Sequence, residues 1–383
     1  MNKIILIGEL PSDDANSRSG PSTVLRLVNQ YLLETKDKEV NLINIFQKND
    51  IANRGVGGFS FKRSLFILKL GLKFFKIPKK EGNLVYLFIS PSNVGLIRDF
   101  MFISLALVQR KKVILHQLGN YITFYNSKNR ITKTFIRISF RTSKVIVVEG
   151  DIVKKFFLNE GFLDNFKIIP NSAPDSPIQV IKKDNITSEN KVLRVLYLSN
   201  MIYSKGYFTV LKSISILKNQ FSIDVEVTFV GKFIDIKSEN NSNLNQKKEF
   251  FDYILENNLN KNVSYIEGLW GLDKYKVYLN NDIFVLPSSY IYEMQPISII
   301  EAMSCGLPII STNIGLIPSL VEDGKNGLIM NHNTPDDLAK KIFKLTTNPE
   351  LYSKMSASNI EKFETVHSEK VFLERIDHLF SKN

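Results

Sequence analysis

One cysteine, one tryptophan and four histidines in 383 residues leave little material for several common chemistries. The lone Cys305 cannot close an internal disulfide, so nothing in the chain asks for an oxidising compartment. His116, His332, His367 and His378 show no His-x3-His pairing, and no Asp-x-Asp triplet occurs. The sequence therefore offers no recognisable ligand set for a divalent metal, and no cofactor is expected. Long hydrophobic runs are missing as well. A membrane span needs about 18 apolar residues, and the richest stretch, Phe100 to Val108, falls well short. Met1 to Leu10 carries a lysine and an apolar run but leads to Glu9, Asp13 and Asp14 where a signal peptide would need small residues, so it reads as a first β-strand of a cytoplasmic chain.

Acidic residues are scarce in one half only. Residues 1–175 hold 27 Lys/Arg against 14 Asp/Glu, a net of +13, whereas the remainder holds 23 against 24, a net of −1, giving the overall +12. Such asymmetry points to an anionic partner for the first half: phospholipid headgroups, a lipid diphosphate or nucleic acid. The last of these lacks any recognisable reading element, so nucleic acid is not expected as a partner.

The chain does contain alternation. With 44% hydrophobic and 23% charged residues it is globular, and its length suits two domains. Short runs rich in Val, Ile and Leu at Lys3 to Gly8, Leu84 to Ile89, Lys112 to Leu115 and Lys144 to Val148 are separated by helix-like segments. A polar stretch from Asn171 to Lys191 with Pro174 and Pro177 interrupts the pattern. It resumes at Val192 to Ser199, Val225 to Val230, Val263 to Ile266, Asp282 to Leu286 and Pro308 to Ser311. Between the first two of these, Tyr207, Val210, Leu211, Ile214 and Leu217 fall at helical spacing. The expectation is an α/β protein of two doubly wound, Rossmann-like domains facing across a cleft. The first covers residues 1–175, a linker 176–191, the second 192–365, and a C-terminal helix 366–383 packs back on the first.

The most informative stretch runs from Asp282 to Ser311, DIFVLPSSYIYEMQPISIIEAMSCGLPIIS. A buried strand ends at Leu286, Pro296 suits a first helical position, and Gly306 followed by Pro308 suits the helix end. Glu293 precedes the helix and Glu301 lies inside it, eight residues on, at most roughly 12 Å away if all were helical. Free N–H groups at the helix start would face a diphosphate. A second stretch, Leu198-Ser199-Asn200-Met201-Ile202-Tyr203-Ser204-Lys205-Gly206, leaves a strand and opens a helix, where a lysine ammonium can meet a phosphate as a point charge.

Glu293 and Glu301, with Leu-Pro-Ser before them and Glu-Ala-Met around the second, resemble the Glu-x7-Glu signature of glycosyltransferase family 4, the retaining glycosyl transferases group 1 of GT-B fold. The resemblance implies that Glu301 holds the ribose hydroxyls of a nucleotide sugar, that Glu293 contacts the transferred sugar, and that Lys205 clamps the diphosphate. Asn200 stands where the family pattern has arginine, and Met294 and Gln295 where it has glycine and an apolar residue. Asn200, Lys205, Met294, Gln295, Ile297, Ser298 and Glu301 are thus the donor-binding candidates, and Glu293, His116 and Lys205 the catalytic ones. His116, in Ile114-Leu115-His116-Gln117, resembles the family's cleft histidine at the end of a strand. Gly20, in Ser17-Arg18-Ser19-Gly20-Pro21-Ser22, is a candidate for a phosphate or acceptor loop.

The expected function is transfer of a hexose from a nucleotide diphosphate sugar, UDP first, to a saccharide or lipid-linked saccharide acceptor in cell-surface polysaccharide synthesis, without a metal. The alternatives are a nucleotide-sugar epimerase of the same fold, a non-catalytic sugar-nucleotide-binding partner, or a basic nucleic-acid-binding protein. Between Phe61 and Lys80 seven Lys/Arg interleave with Phe and Leu, which suits peripheral attachment to an anionic membrane. A second basic series, Lys128, Arg130, Lys133, Arg137, Arg141 and Lys144, recurs mainly at helical spacing.

Overall fold

The computed structural model describes residues 2–11, 20–35, 38–46, 61–78, 83–176, 192–234 and 245–382. They form two compact units, Met1–Ser172 with Glu369–Asn383, and Ala173–Ser368. The divisions lie three residues from the sequence boundaries at 175 and 365. Most of the linker expected at Asn171 to Lys191 lies outside the described residues.

Unit 1 is built on a parallel sheet of six strands in the order β2-β1-β3-β4-β5-β6. These are β1 (Asn2–Gly8), β2 (Lys38–Asn44), β3 (Leu84–Ile89), β4 (Lys112–Gln117), β5 (Val145–Val148) and β6 (Phe166–Ile168). Every residue of β3 and β5 is buried. Strands covered on both faces need no alternation of polar and apolar residues, which is why LVYLFI and VIVV were readable as runs. The helices are α1 (Gly20–Glu34), α2 (Phe61–Phe75), α3 (Asn93–Val108), α4 (Tyr121–Asn126), α5 (Arg130–Thr142) and α6 (Asp151–Asn159). The final helix of the chain, Glu369–Ser381, belongs to this unit: Tyr31 of α1 donates to Asp377 at 2.7 Å, and Phe380 meets the Tyr86 ring edge-on.

Unit 2 repeats the plan in the order β12-β11-β10-β7-β8-β9. Its strands are β7 (Leu193–Leu198), β8 (Val225–Val230), β9 (Val263–Ile266), β10 (Ile283–Leu286), β11 (Ile309–Ser311) and β12 (Gly327–Ile329). Its helices are α7 (Tyr207–Phe221), α8 (Gln246–Glu256), α9 (Gly271–Asn280), α10 (Ile297–Ser304), α11 (Ile317–Leu320), α12 (Pro335–Thr346) and α13 (Pro349–Lys362), so the last helix becomes α14. The five α7 positions picked out by helical spacing are all fully buried in the core.

Both sheets are doubly wound. In unit 1 the chain steps from β1 outward to β2 and then returns to the far side with β3. In unit 2 it steps from β7 through β8 to β9 and returns with β10. The strand order therefore reverses between β1 and β3 and between β7 and β10. Crevices outside the carboxyl ends of strands at such reversals are where α/β sheets accept ligands.

Candidate active site

In unit 2 the loops leaving β7 and β10 meet at that reversal. After β7 the chain makes the short turn Tyr203–Lys205 and enters α7 at Gly206. The loop after β10 runs against it: Ser289 donates its backbone N–H to Ser204 O at 2.6 Å and its hydroxyl to the same oxygen at 3.0 Å. Gly206 has φ of +84°, and a Cβ there would sit 2.1 Å from Pro287 O, so the contact between the loops requires glycine.

This joining sets Lys205 beside Glu293. The Lys205 ammonium lies 3.2 Å from Glu293 Oε2, with both side chains largely withdrawn from solvent (15% and 8% exposed). Ser288 donates its hydroxyl to the same carboxylate oxygen at 3.1 Å, and the ammonium stands 5.4 Å from the centre of the Tyr290 ring. The loop after β11 holds Glu293 from the other side. Gly315, φ +56°, is so close that a Cβ would stand 2.0 Å from Glu293 O, and Leu316 donates its N–H to Met294 O. Thr312 donates its hydroxyl to Ser288 O.

Three residues on, Pro296 caps α10. It is not the first helical residue the sequence suggested: its ψ of 122° is extended, and the helix starts at Ile297. No side chain caps this end, while Gly306 at φ +67° follows the C-terminus as expected. Inside α10, Glu301 is 3% exposed and points back to α9. Its Oε1 accepts from the Lys274 ammonium and its Oε2 accepts from the Tyr278 hydroxyl at 2.9 Å. Tyr278 also reaches Ser298 O at 3.1 Å. Burial first, and then the Glu301 carboxylate, hold the Tyr278 phenol well above the usual tyrosine value, so it remains a donor. Burial and then Glu293 do the same to Tyr197, beneath the β7 loop.

The region thus presents two carboxylates, each matched to one ammonium, on either side of a helix N-terminus. A carboxylate held this way accepts hydrogen bonds from a diol, and an ammonium beside helix amides attracts a diphosphate. Among the donor-site candidates, Met294 and Gln295 are buried, with Gln295 donating to Ser319 Oγ at 3.1 Å, whereas Ile297 and Ser298 are half-buried at the helix start. Asn200 is exposed, two residues after β7. Among the described residues no group of three or more His, Cys, Asp or Glu is placed to hold a metal ion.

The family match falls on this same stretch. Residues 179–362 match the family model described as glycosyl transferases group 1. An uncharacterized glycosyltransferase of Haemophilus influenzae is 28% identical over 276 residues, covering 72% of this chain and 71% of that protein. The poly(ribitol-phosphate) alpha-N-acetylglucosaminyltransferase of Staphylococcus aureus is 36% identical over 102 residues, covering 26% of this chain and 20% of that one. The solved structure of Anabaena HepE in complex with UDP and glucose superposes with a TM-score of 0.71 at 15% identity, covering 100% of both chains. The fold is therefore that of the GT-B glycosyltransferases, and the family match and the Haemophilus influenzae relative support transferase activity.

Sequence reasoning named the two glutamates and Lys205, which the structure places in two ion pairs, but missed what holds them. Lys274 and Tyr278 occupy one face of α9, four residues apart, before the motif begins. Their pattern is that of any amphipathic helix, and only the fold brings them to Glu301. Ser288 was noted only as part of the flanking Leu-Pro-Ser, and Gly315 lay just beyond the motif.

Outside the matched region, in unit 1, two further candidates look different in the structure. His116 does not stand past a strand end: β4 continues through Gln117, and the histidine is fully buried within it. Its Nδ1 lies 2.6 Å from the Tyr86 hydroxyl, its ring stacks on Phe88 at 4.7 Å, and its Nε2 has no hydrogen-bond partner. Burial lowers its pKa to about 3, so the ring is neutral. Gly20 begins α1 rather than forming a loop, and Ser17 to Ser19 before it lie outside the described residues. At the β1–β3 reversal, the buried Arg98 guanidinium is paired with Asp99 at 2.7 Å and approaches Glu9 at 3.9 Å. Burial pushes Asp99 up to about 6 against the downward pull of Arg98.

Proposed function

We propose that the protein is a retaining glycosyltransferase that moves a hexose from a nucleotide diphosphate sugar, a UDP-sugar first, to a saccharide or lipid-linked saccharide in the building of a cell-surface polysaccharide. The observation that carries this reading is the pair of withdrawn contacts, Lys205 with Glu293 and Lys274 with Glu301, at the strand-order reversal of unit 2. The UDP and glucose held by HepE support the donor, and the poly(ribitol-phosphate) acceptor named for the Staphylococcus aureus relative supports a surface polymer.

In this reading the ribose diol donates to Glu301, whose carboxylate is already aimed by Lys274 and Tyr278. The diphosphate lies over the N–H groups at the start of α10 and draws the Lys205 ammonium from Glu293. That exchange frees Glu293 to accept from hydroxyls of the donor sugar and to stabilise positive character on it. As the bond from the anomeric carbon to the diphosphate breaks, negative charge builds on the departing oxygen. Lys205 and the helix amides meet that charge in a site already organised for it. The reading needs no resident metal, since the protein supplies the positive charge. His116, enclosed and neutral, acts as a packing group for β3 and β4 in this proposal and not as a catalytic residue.

A donor screen tests the proposal: thermal shift and hydrolysis with UDP-, GDP- and dTDP-sugars in EDTA, for the native protein, Glu301→Ala and Lys205→Ala. Stabilisation by one nucleotide class, lost in both variants, is the expected result. No response to any donor would overturn the reading, and conversion of the donor to its epimer without acceptor would replace transfer by epimerisation.

A further inference from the structure

Three neighbouring helices of unit 1 turn large apolar side chains to solvent. On α2, Leu65, Leu68, Leu72 and Phe75 are exposed, Leu72 by 63%. Their spacing of three, four and three residues makes one stripe. Lys62, Lys69, Lys73 and Lys76, also exposed, run alongside it. The opposite side of α2 carries Gly71 and Phe74, where the missing side chain lets Met101 and Leu105 of α3 approach. On α5, Ile131 is 70% exposed and Phe135 and Ile138 follow at four and three residues, with exposed Arg130 and Arg141 beside them. Phe135 meets Phe100 of α3 edge-on at 4.9 Å, so α3 lies between the other two helices.

The central helix adds apolar surface and no exposed charge. Ile97 is 73% exposed and Val108 is also outside, while both charges of α3, Arg98 and Asp99, are buried against each other. Over residues 51–148 the chain has 18 Lys/Arg and two acidic residues, Glu81 and Asp99. Glu81 lies outside the described residues, so the described part of this face has no exposed carboxylate on its helices. Glu9, at the end of β1, approaches Arg63 at 3.8 Å. Part of the second basic series is occupied locally: Arg137 donates to Tyr125 Oη and Glu160 O, and Lys133 lies over the Tyr125 ring.

We propose that α2, α3 and α5 form a docking face for an anionic lipid surface. Leucines, isoleucines and phenylalanines flanked by cations of one sign suit the boundary between headgroups and acyl chains. A nucleic-acid contact would use the cations but leave the exposed aliphatic stripes without a partner. A second copy of this face would bring like charges together. The proposal is independent of the donor reading, because lipid attachment is measured without turnover.

The test is co-sedimentation of the full chain with phosphatidylcholine vesicles and with mixed phosphatidylcholine and phosphatidylglycerol vesicles, at low and high salt. Binding to the anionic vesicles alone, weakened by salt, is expected. Lys69→Gln with Lys73→Gln should lower the partition coefficient roughly 25-fold, from about fivefold per basic residue. Leu68→Ser with Leu72→Ser and Ile138→Ser should release the protein while its thermal melting stays unchanged, since all three side chains are exposed. Absence of binding to anionic vesicles at low salt would overturn the proposal, as would binding indifferent to these variants. So would a dimer in sedimentation velocity that the leucine and isoleucine variants dissociate, since the face would then belong to a second copy.

Discussion

Apart from the buried Arg98–Asp99 pair of unit 1, the two units handle charge in opposite ways. Unit 2 keeps opposite charges together and out of solvent, as in Lys205 with Glu293 and Lys274 with Glu301. On α2 and α5 unit 1 carries charge of one sign on its surface beside apolar side chains, while the polar groups beneath its strand ends, such as His116, are enclosed. Withdrawn opposite charges give strength and direction to a few contacts, because the local dielectric is low and the geometry is fixed. Exposed charge of one sign gives attraction without fixed geometry, weakened by salt. Under the two proposals above, the same doubly wound plan would orient a small molecule in one copy and meet an extended surface in the other.

The sharpest way to break this comparison is to remove one partner of a withdrawn pair. Lys205→Ala should lower kcat for the accepted donor by about 10²- to 10³-fold, the loss typical of removing one group that meets developing charge. Lys205→Arg should recover only part of it, because the planar guanidinium does not replace a compact ammonium. Steady-state kinetics with the donor identified by the screen read both. If Lys205→Ala changed KM alone, the lysine would bind ground state and transition state equally, and the claim of a directed site would fail.

Next in size is a stability effect. Gly315→Ala places a Cβ against Glu293 O at a positive φ, so urea unfolding should show a loss of about 3 kcal/mol or more from backbone strain and displacement of the loop. A comparable loss is expected at Gly206→Ala, against Pro287 O. Either substitution tolerated without loss would mean that the loops are not held together as tightly as the contacts imply.

The enclosed histidine gives a smaller effect with a definite sign. His116 has its pKa lowered to about 3 when folded, so it resists protonation that the unfolded chain accepts near 6.5. Its contribution to stability is complete above about pH 6.5 and falls as pH drops toward 3, with a slope of at most about 1.4 kcal/mol per pH unit. Asp99 opposes this: raised to about 6, it contributes stability below about pH 4 that is lost as pH rises through 6. The histidine's share is therefore the difference between the native protein and His116→Phe in chemical unfolding from pH 7 to 4, and the variant should lose less stability on acidification. The smallest effect belongs to an exposed pair. Lys276→Ala, which removes the contact with Asp273 on the surface of α9, should change stability by within about 0.5 kcal/mol.

Much of the sheet structure was legible because central parallel strands are apolar throughout. The strands the sequence did not reveal, β2, β6 and β12, are all edge strands. β2 reads KEVNLIN, with polar residues between apolar ones, and β6 and β12 are only three residues long. An edge strand has one neighbour and partial cover, so its composition approaches that of a loop. The site divides in a similar way. Glu293 and Glu301 were legible because one strand, loop and helix set their spacing, and Lys205 because it sits where the chain leaves β7 and enters α7. Lys274 was not, because its link to Glu301 crosses 27 residues and depends on how α9 packs. His116 was placed correctly in sequence but not in depth, since a strand two residues longer than expected carries it inside.

The return of α14 to unit 1 bears on the order in which the chain can mature. Unit 2 is one continuous segment, Ala173–Ser368, whereas unit 1 needs Glu369–Asn383 as well as Met1–Ser172. During synthesis from the N-terminus, all of unit 2 is made before the last helix of unit 1 exists. Tyr31 and Tyr86 must wait for Asp377 and Phe380, which are made after unit 2. The first unit to be translated is therefore the last to be finished, and a lesion in the final helix would be felt by the N-terminal fold.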